Sequence, residues 1–228
     1  MKPFDLNSYL QNFAETLAQN GDPRIAEGAA AYMRNQSEFY GIPAPGRRKI
    51  QKEFLRNEGI PPYTLWKPFT ESCWEYPYRE VQYFGMEVSA RFIPLSSPDD
   101  LIILEFMITR KSWWDTVDYI AANLAGRFFR FHPELARAST LKWMDSKNLW
   151  LQRSALLFQL SYKSDTDILL LLDYITELSS ENEFFIRKAI GWALRQLSKT
   201  HPEVVRNFVE THPLKPLSRK EALKRMNN

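Results

Sequence analysis

The 228-residue sequence contains one cysteine, eight glycines and three histidines, and these low counts already exclude several kinds of protein. A single thiol, Cys73, cannot form a disulfide within the chain or build a cysteine-based zinc site, which fits a reducing compartment. The leucine-rich run at residues 168–172 is far too short to span a bilayer, and the first residues lack the apolar core of a signal peptide. We therefore expect a cytoplasmic protein with no membrane partner.

The scarcity of glycine and of β-branched runs indicates the fold class. Hydrophobic residues make up 44% of the chain, which is enough for a sizeable core. Leucine, alanine, glutamate, lysine and arginine fill the periodic stretches, and these residues favour helices. The composition therefore predicts an all-α protein. Its net charge of +3 permits binding to nucleic acid without requiring it.

Each of the three histidines, His132, His201 and His212, directly precedes a proline. The first two of these prolines are followed by glutamate, and a proline and an acid in the first turn are typical of the start of a helix. We therefore assign the histidines to helix boundaries rather than to catalysis, and we predict no metal site.

A short pattern recurs along the chain. It consists of an arginine, a small or branched apolar residue two positions later and an aromatic residue five positions later, and it begins at Arg79, Arg153 and Arg187. The last two arginines are 34 residues apart, and the first two are 74 apart, or two steps of 37. This period is typical of arrays of helical repeats, in which equivalent helices line one surface.

The most unusual stretch is residues 111–118, Lys-Ser-Trp-Trp-Asp-Thr-Val-Asp, with two tryptophans and two aspartates within six positions. It lies midway between Arg79 and Arg153, so it occupies the equivalent helix of the intervening repeat. On a helix, Trp114 and Asp118 share one face, and a ring face beside a carboxylate suits a planar cation.

Both aspartates of this stretch have plainer explanations. We expect Asp115 to pair with neighbouring groups, or to cap backbone, rather than to act in catalysis. From the residues alone, a solvated acid or one half of a buried ion pair explains Asp118 better than a catalytic role does.

Basic residues gather near both ends of the chain. Arg47 and Arg48 begin the first cluster, and Arg219 and Lys220 belong to the second. Together with the arginines at the repeat position, such as Arg187, they would give a duplex lying along the array positive charge over much of its contact. Taken alone, each cluster is better explained by a solvated helix face than by a contact with DNA.

Three motifs, in order along the chain, carry a resemblance to a known family: residues 111–118, residues 148–153 (Asn-Leu-Trp-Leu-Gln-Arg) and residues 184–192 (Phe-Phe-Ile-Arg-Lys-Ala-Ile-Gly-Trp). Over nearly its whole length the chain resembles the AlkD-like DNA alkylation repair family. The resemblance implies one domain, residues 1–228, built as a superhelical array of HEAT-like repeats with a concave DNA-binding cleft. It further implies a monomeric DNA glycosylase of base excision repair, associated with the nucleoid when bound to DNA. Such an enzyme hydrolyses the N-glycosidic bond of N3- and N7-alkylated purines in duplex DNA, with no metal or organic cofactor.

Residue by residue, the resemblance makes Asp118 the catalytic carboxylate. It implies that Trp114 and Trp192 pack around the lesion nucleotide, that Arg153 contacts DNA near the lesion, and that Tyr32 lies at the same cleft. In this scheme the alkylated base carries a positive charge and leaves readily, while Asp118 stabilises the oxocarbenium-like sugar of the transition state.

Two alternatives stay open. Repeat arrays more often bind than catalyse, so the chain could be a non-catalytic helical-repeat module that binds DNA or a protein. The same cleft could also serve a repair enzyme directed at another class of lesion.

Overall fold

A computed structural model describes residues 4–224 of the chain, and all regular structure in that range is helical. The α-helices are α1 (Leu6–Gln19), α2 (Pro23–Tyr32), α3 (Ala44–Glu58), α4 (Trp66–Glu75), α5 (Arg79–Phe92), α6 (Leu101–Thr109), α7 (Trp114–Tyr119), α8 (Gly126–Phe131), α9 (Pro133–Asp145), α10 (Leu149–Leu157), α11 (Ile168–Glu177), α12 (Phe184–Leu197), α13 (Pro202–Thr211) and α14 (Pro216–Leu223). The predicted all-α fold is confirmed. None of the helices within residues 4–224 has the length and apolar character needed to cross a membrane.

The histidine–proline pairs lie at helix boundaries, as predicted. His132 and His201 are the N-cap residues of α9 and α13, and the following prolines occupy the first turns of those helices. His212 is the C-cap residue of α13. Proline suits the first turn because its missing N–H group would have no partner within the helix there.

The chain divides into two compact units, residues 1–116 and residues 117–228, and the division falls inside α7. After Tyr119, the last residue of α7, the helix continues through a π-helical segment, Ile120–Ala125, into α8. A π-helical turn is wider than an α turn and changes which residues face the core; such turns often occur at functional sites. The predicted single domain over residues 1–228 stays a prediction.

Aromatic side chains fill the core of the first unit. The ring of Phe84 on α5 stacks on Phe13 of α1 at 3.8 Å between centroids, and it packs against Phe54 and Phe69 at 6.0 and 5.7 Å. All four side chains are buried. Phe84 is the aromatic residue of the first copy of the sequence pattern, so in this copy the pattern marks a core position.

The second unit repeats this arrangement. Phe158, the aromatic residue of the second copy, is buried against Phe129 at 5.4 Å, and Phe129 in turn packs on Trp143 at 5.6 Å. A Cβ atom at Gly126 would collide with the carbonyl oxygen of Phe158. Glycine is therefore required where the start of α8 approaches the C-terminal end of α10.

Hydrogen bonds join residues that lie about one predicted repeat apart. In the first unit, the indole N–H of Trp74 donates to the carbonyl oxygen of Arg110, 36 residues later, at 3.0 Å. In the second unit, the hydroxyls of Thr140 and Tyr174, 34 residues apart, lie 2.8 Å from each other. This spacing agrees with the period of 34 to 37 residues predicted from the recurring arginines. The assignment of these repeats to the HEAT-like class stays a prediction.

Arg79, the first residue of α5, holds the start of α7, which belongs to the first unit. Its Nε and Nη2 atoms donate to the two carboxylate oxygens of Asp115 at 2.8 and 2.7 Å, and its Nη1 atom donates to the carbonyl oxygen of Lys111 at 2.8 Å. The Tyr83 hydroxyl donates to Asp115 at 2.6 Å. The expectation that Asp115 pairs with neighbouring groups is confirmed.

The Arg79–Asp115 pair is buried, with exposed side-chain fractions of 1% and 6%. Burial raises the pKa of the Asp115 carboxyl, but hydrogen bonds from Arg79 and Tyr83 and the charge of Arg79 lower it by more. The net pKa of Asp115 lies below its ordinary value. Removing one partner would leave the other charge buried without compensation, which is strongly destabilising.

We expect Asp115→Asn to lower the free energy of unfolding by roughly 3 kcal/mol at neutral pH, because Arg79 then lacks its carboxylate partner. The native pKa of Asp115 lies below the unfolded value, so its stabilisation is complete above the unfolded pKa and declines as the pH falls through the native pKa. The difference between wild type and variant should therefore shrink below a pH of about 4. Urea unfolding of both proteins at several pH values measures this difference in the free energy of unfolding.

The matched control is Asp165→Asn, because Asp165 pairs with Arg130 at the surface, where 66% and 44% of the two side chains are exposed. This variant should lose less than about 1 kcal/mol at any pH. An Asp115→Asn difference that stays constant from neutral to acidic pH would contradict a titrating carboxylate in the pair.

Candidate functional site

The helix α7 carries both Trp114 and Asp118, one turn apart as predicted. The loop before it is held at Lys111, whose backbone adopts the left-handed conformation with φ of 45°. The Lys111 ammonium donates to the carbonyl oxygens of Glu75 and Tyr76, at 3.3 and 2.9 Å, where α4 ends. A cation is favourable at the negative end of a helix, so Lys111 fixes the point from which α7 begins.

In the second unit, Arg153 of α10 donates two parallel hydrogen bonds to Asp118. Its Nε and Nη2 atoms donate to Oδ1 and Oδ2 of Asp118 at 2.7 and 2.8 Å, and its Nη1 atom donates to the carbonyl oxygen of Phe185. A bidentate pair fixes the plane of a carboxylate as well as its position. Asp118 is thus held in one orientation.

An aromatic ring lies beside this guanidinium, and a second ring packs on the first. The ring of Phe185 lies 5.8 Å from the Cζ atom of Arg153, and Trp150 packs on Phe185 at 5.1 Å between centroids. Only 5% of the Arg153 side chain is exposed, against 16% of the Asp118 side chain. The carboxylate is therefore the part of the pair that solvent or a ligand reaches more readily.

This arrangement gives Arg153 a role that its sequence pattern did not indicate. Each of its three guanidinium nitrogens donates to a protein acceptor, so within the described residues Arg153 positions Asp118 and ties it to α12 through Phe185. Its predicted contact with DNA stays a prediction.

In the first unit, the structure brings Tyr32 and Trp114 together. Their ring centroids are 6.0 Å apart and their planes are nearly perpendicular, an edge-to-face contact. Tyr32, the last residue of α2, is 71% exposed, and Trp114 is partly exposed. Aromatic rings that share an edge and still present surface to solvent can contact a planar ligand.

The segment that follows Tyr32 is held by the first turn of α5. The buried carboxylate of Glu80 accepts hydrogen bonds from the backbone N–H groups of Tyr40 and Gly41 at 3.1 and 3.0 Å, and the Arg79 N–H group donates to the carbonyl oxygen of Glu38 at 2.8 Å. Sequence reasoning missed Glu80. The available signal was its position directly after a repeat arginine, where the other two copies have Ser154 and Lys188.

Trp192 occupies the aromatic position of the third copy of the pattern, but it is not a core residue. Its counterparts Phe84 and Phe158 are buried, whereas Trp192 is partly exposed on α12. A Cβ atom at the adjacent Gly191 would collide with the Cβ atom of Glu221 on α14. The close approach of α14 therefore fixes the part of α12 that carries Trp192.

The predicted basic residues divide by exposure. Arg48, Arg219 and Lys220 are exposed, although Arg219 also donates to the carbonyl oxygen of Val209 at 2.6 Å. Arg187 is partly exposed. These four stay candidate contacts for DNA.

Arg47 differs, because it is only 4% exposed. It donates to Glu87 at 2.6 Å and to Gln51 at 3.2 Å, and its Cζ atom lies 4.9 Å from the ring centroid of Tyr83. The interpretation of Arg47 as part of a solvated basic face is therefore wrong, since the helix turns this side chain inward to Glu87. Its contact with DNA stays a prediction.

Comparison with known proteins agrees with this architecture. The sequence model of a family described as DNA alkylation repair enzymes matches residues 13–226. A solved structure described as a predicted DNA alkylation repair enzyme from Enterococcus faecalis is 31% identical, with 90% of this chain and 96% of that chain covered and a TM-score of 0.84. No protein of curated function matches. With a family match over most of its length and this structural similarity, the chain belongs to the family of DNA alkylation repair enzymes.

Proposed function

We propose that this protein is a DNA glycosylase that hydrolyses the N-glycosidic bond of N3- and N7-alkylated purines in duplex DNA. The observation that carries the proposal is the oriented carboxylate of Asp118, held by Arg153 and still partly exposed. Membership of a DNA alkylation repair family supports DNA as the ligand.

A comparison of the two aspartates of α7 supports this choice. Both are held by arginine forks, but the Asp115 side chain is 6% exposed and Asp118 is 16% exposed. Asp115 also receives a hydrogen bond from the Tyr83 hydroxyl, in addition to those from Arg79. Asp115 therefore serves the fold, and Asp118 is the better candidate to act on a ligand.

Alkylation at N3 or N7 gives the purine a positive charge, so the base leaves readily and needs little help from an acid. Breaking the glycosidic bond then moves positive charge onto the deoxyribose, as in other glycoside cleavages. A carboxylate beside that sugar stabilises the transition state more than the ground state, and this difference accelerates the reaction. In the proposal Asp118 is this carboxylate, and it also orients the attacking water.

The two hydrogen bonds from Arg153 hold the Asp118 carboxylate in place before the reaction begins. A carboxylate that is already fixed in plane and position does not have to reorient when charge develops on the sugar. Arg153 is therefore proposed as a positioning residue for Asp118, with the carbonyl group of Phe185 as its third acceptor.

The aromatic residues have a matching role in the proposal. The ring faces of Trp114 and Trp192 would lie against the cationic nucleotide, each contributing about 0.5–2 kcal/mol. Tyr32 contacts the edge of Trp114 and adds a second ring beside it. Rings that exclude water would also strengthen the interaction of Asp118 with the developing cation.

We predict that Asp118→Asn lowers the single-turnover rate of base release from a duplex with one N7-methylguanine by about 10²–10³-fold, because a preorganised electrostatic stabiliser is lost. Binding to a duplex with a stable abasic analogue should change little, since the carboxylate acts chiefly on the developing cation. The matched control is Asp115→Asn, assayed under conditions in which this variant is fully folded. It should keep most of the wild-type rate of base release.

A loss of binding in Asp118→Asn that parallels the loss of rate would contradict the catalytic assignment. If neither wild type nor variant releases base while duplex binding is intact, the chain is a non-catalytic helical-repeat binding module.

We further expect release to depend on the charge of the lesion. The same duplex carrying O6-methylguanine, a neutral base, should lose no base, because the proposed site supplies no group to protonate a poor leaving group. High-performance liquid chromatography of released bases, with both duplexes at the same enzyme excess, measures this difference. Release of O6-methylguanine at a comparable rate would contradict a mechanism that relies on a cationic leaving group.

A further inference from the structure

The three repeat arginines share one sequence pattern, and two of them, Arg79 and Arg153, make the same kinds of hydrogen bonds. In Arg79 and Arg153, the Nε and Nη2 atoms donate to a single aspartate, which lies 36 residues later for Arg79 and 35 residues earlier for Arg153. In both, the Nη1 atom donates to a carbonyl oxygen 32 residues later. The two guanidinium groups are thus satisfied in the same way.

Arg187, the third member of the set, lacks these partners. Among residues 4–224, its guanidinium has no hydrogen bond, ion pair or ring contact, and its Nε atom is nevertheless buried. The backbone at this point is well anchored, because the Arg187 carbonyl oxygen accepts a hydrogen bond from the Ser218 hydroxyl at 3.0 Å. The missing partner is therefore not a consequence of a loose helix end.

The sequence explains why no acid serves Arg187. The residues at the positions that supply aspartates to the other two arginines are Leu223, 36 later, and Gln152, 35 earlier. Gln152 directs its amide N–H₂ group to the carbonyl oxygen of Met144 at 3.0 Å. The acid on α14, Glu221, is already bound by Lys188 and Arg195 at 2.9 and 2.6 Å.

A buried N–H group without an acceptor costs free energy, so such a group in a native protein needs an explanation. The planar fork of a guanidinium fits two oxygens of a phosphate as well as it fits two oxygens of a carboxylate. We propose that Arg187 binds a phosphodiester of the DNA backbone, with a change of side-chain rotamer that brings its buried Nε–H group to the surface. The two non-bridging oxygens of the phosphate then take the part that aspartate plays for Arg79 and Arg153. This rests on the DNA-binding part of the proposed function and not on base excision.

The first test compares stability. Arg187→Gln removes a guanidinium that has no protein partner, so its thermal midpoint should equal that of wild type or exceed it. The matched variant Arg79→Gln breaks a buried ion pair and should lower the midpoint by several degrees, roughly 4 °C or more. A loss in Arg187→Gln as large as that in Arg79→Gln would overturn the proposal, because it would give Arg187 a structural role.

The second test measures DNA affinity against salt concentration by fluorescence anisotropy with an undamaged duplex. Loss of one phosphate contact should reduce the slope of log affinity against log salt by about one, and lower affinity roughly tenfold at moderate salt. The control is Arg206→Gln, which removes the same charge from an exposed arginine that pairs with Glu203 at 3.5 Å. This control reports how much DNA affinity and salt slope change when one positive charge is lost. The changes in Arg187→Gln must be larger than those in the control.

The third test locates the phosphate. Single methylphosphonates, which are neutral, are placed in turn around a stable abasic analogue. Wild type should lose affinity at one or two positions, and Arg187→Gln should lose nothing further there. Additive losses at every position, or an unchanged salt slope, would overturn the proposal. Failure of base release with an altered salt slope would count against the glycosylase alone, whereas wild type that binds no DNA would defeat both proposals.

Discussion

The structure depends on two arginine–aspartate forks, both of which end on α7. α7 is the first part of a helical stretch that continues to Phe131, and most of the stability of a helix in a protein comes from tertiary contacts. Arg79 supplies them in the first unit through Asp115, and Arg153 supplies them in the second through Asp118. Because each charge is largely removed from water, each is stable only with its partner, which makes the position of α7 specific.

The candidate functional residues lie at positions where one copy of the repeat differs from the other copies in burial or in hydrogen bonding. The aromatic position is buried in Phe84 and Phe158 but partly exposed in Trp192. The arginine position is paired in Arg79 and Arg153, whereas the buried Nε atom of Arg187 has no acceptor among residues 4–224. Packing explains the positions at which the copies agree. A residue that departs from the other copies at the same position therefore points to a role outside packing.

Much of the fold could be predicted from local patterns. Helix starts at the histidine–proline pairs, the period of the repeat arginines and the shared face of Trp114 and Asp118 all follow from the residues within a few turns. Those properties depend on backbone geometry and on neighbours in sequence, so the sequence alone carries them.

The partners of charged residues could not be predicted in the same way. The pairing of Arg153 with Asp118, the inward direction of Arg47 and the backbone hydrogen bonds of Glu80 all join residues about 35 to 40 positions apart. Which member of a basic cluster turns inward depends on the face that packs on the next helix. A list of charges does not contain that information, although the repeat period limits where a partner can lie.

The central claim is that Arg153 acts on the reaction through Asp118, and a double-mutant cycle tests it most directly. Single-turnover base release from an N7-methylguanine duplex would be measured for Arg153→Gln, Asp118→Asn and the double variant, each confirmed as folded. If Arg153 only positions the carboxylate, the double variant should be no slower than Asp118→Asn alone. If the two losses multiply, Arg153 contributes to the reaction independently of Asp118, and its assignment as a residue that only positions the carboxylate is wrong.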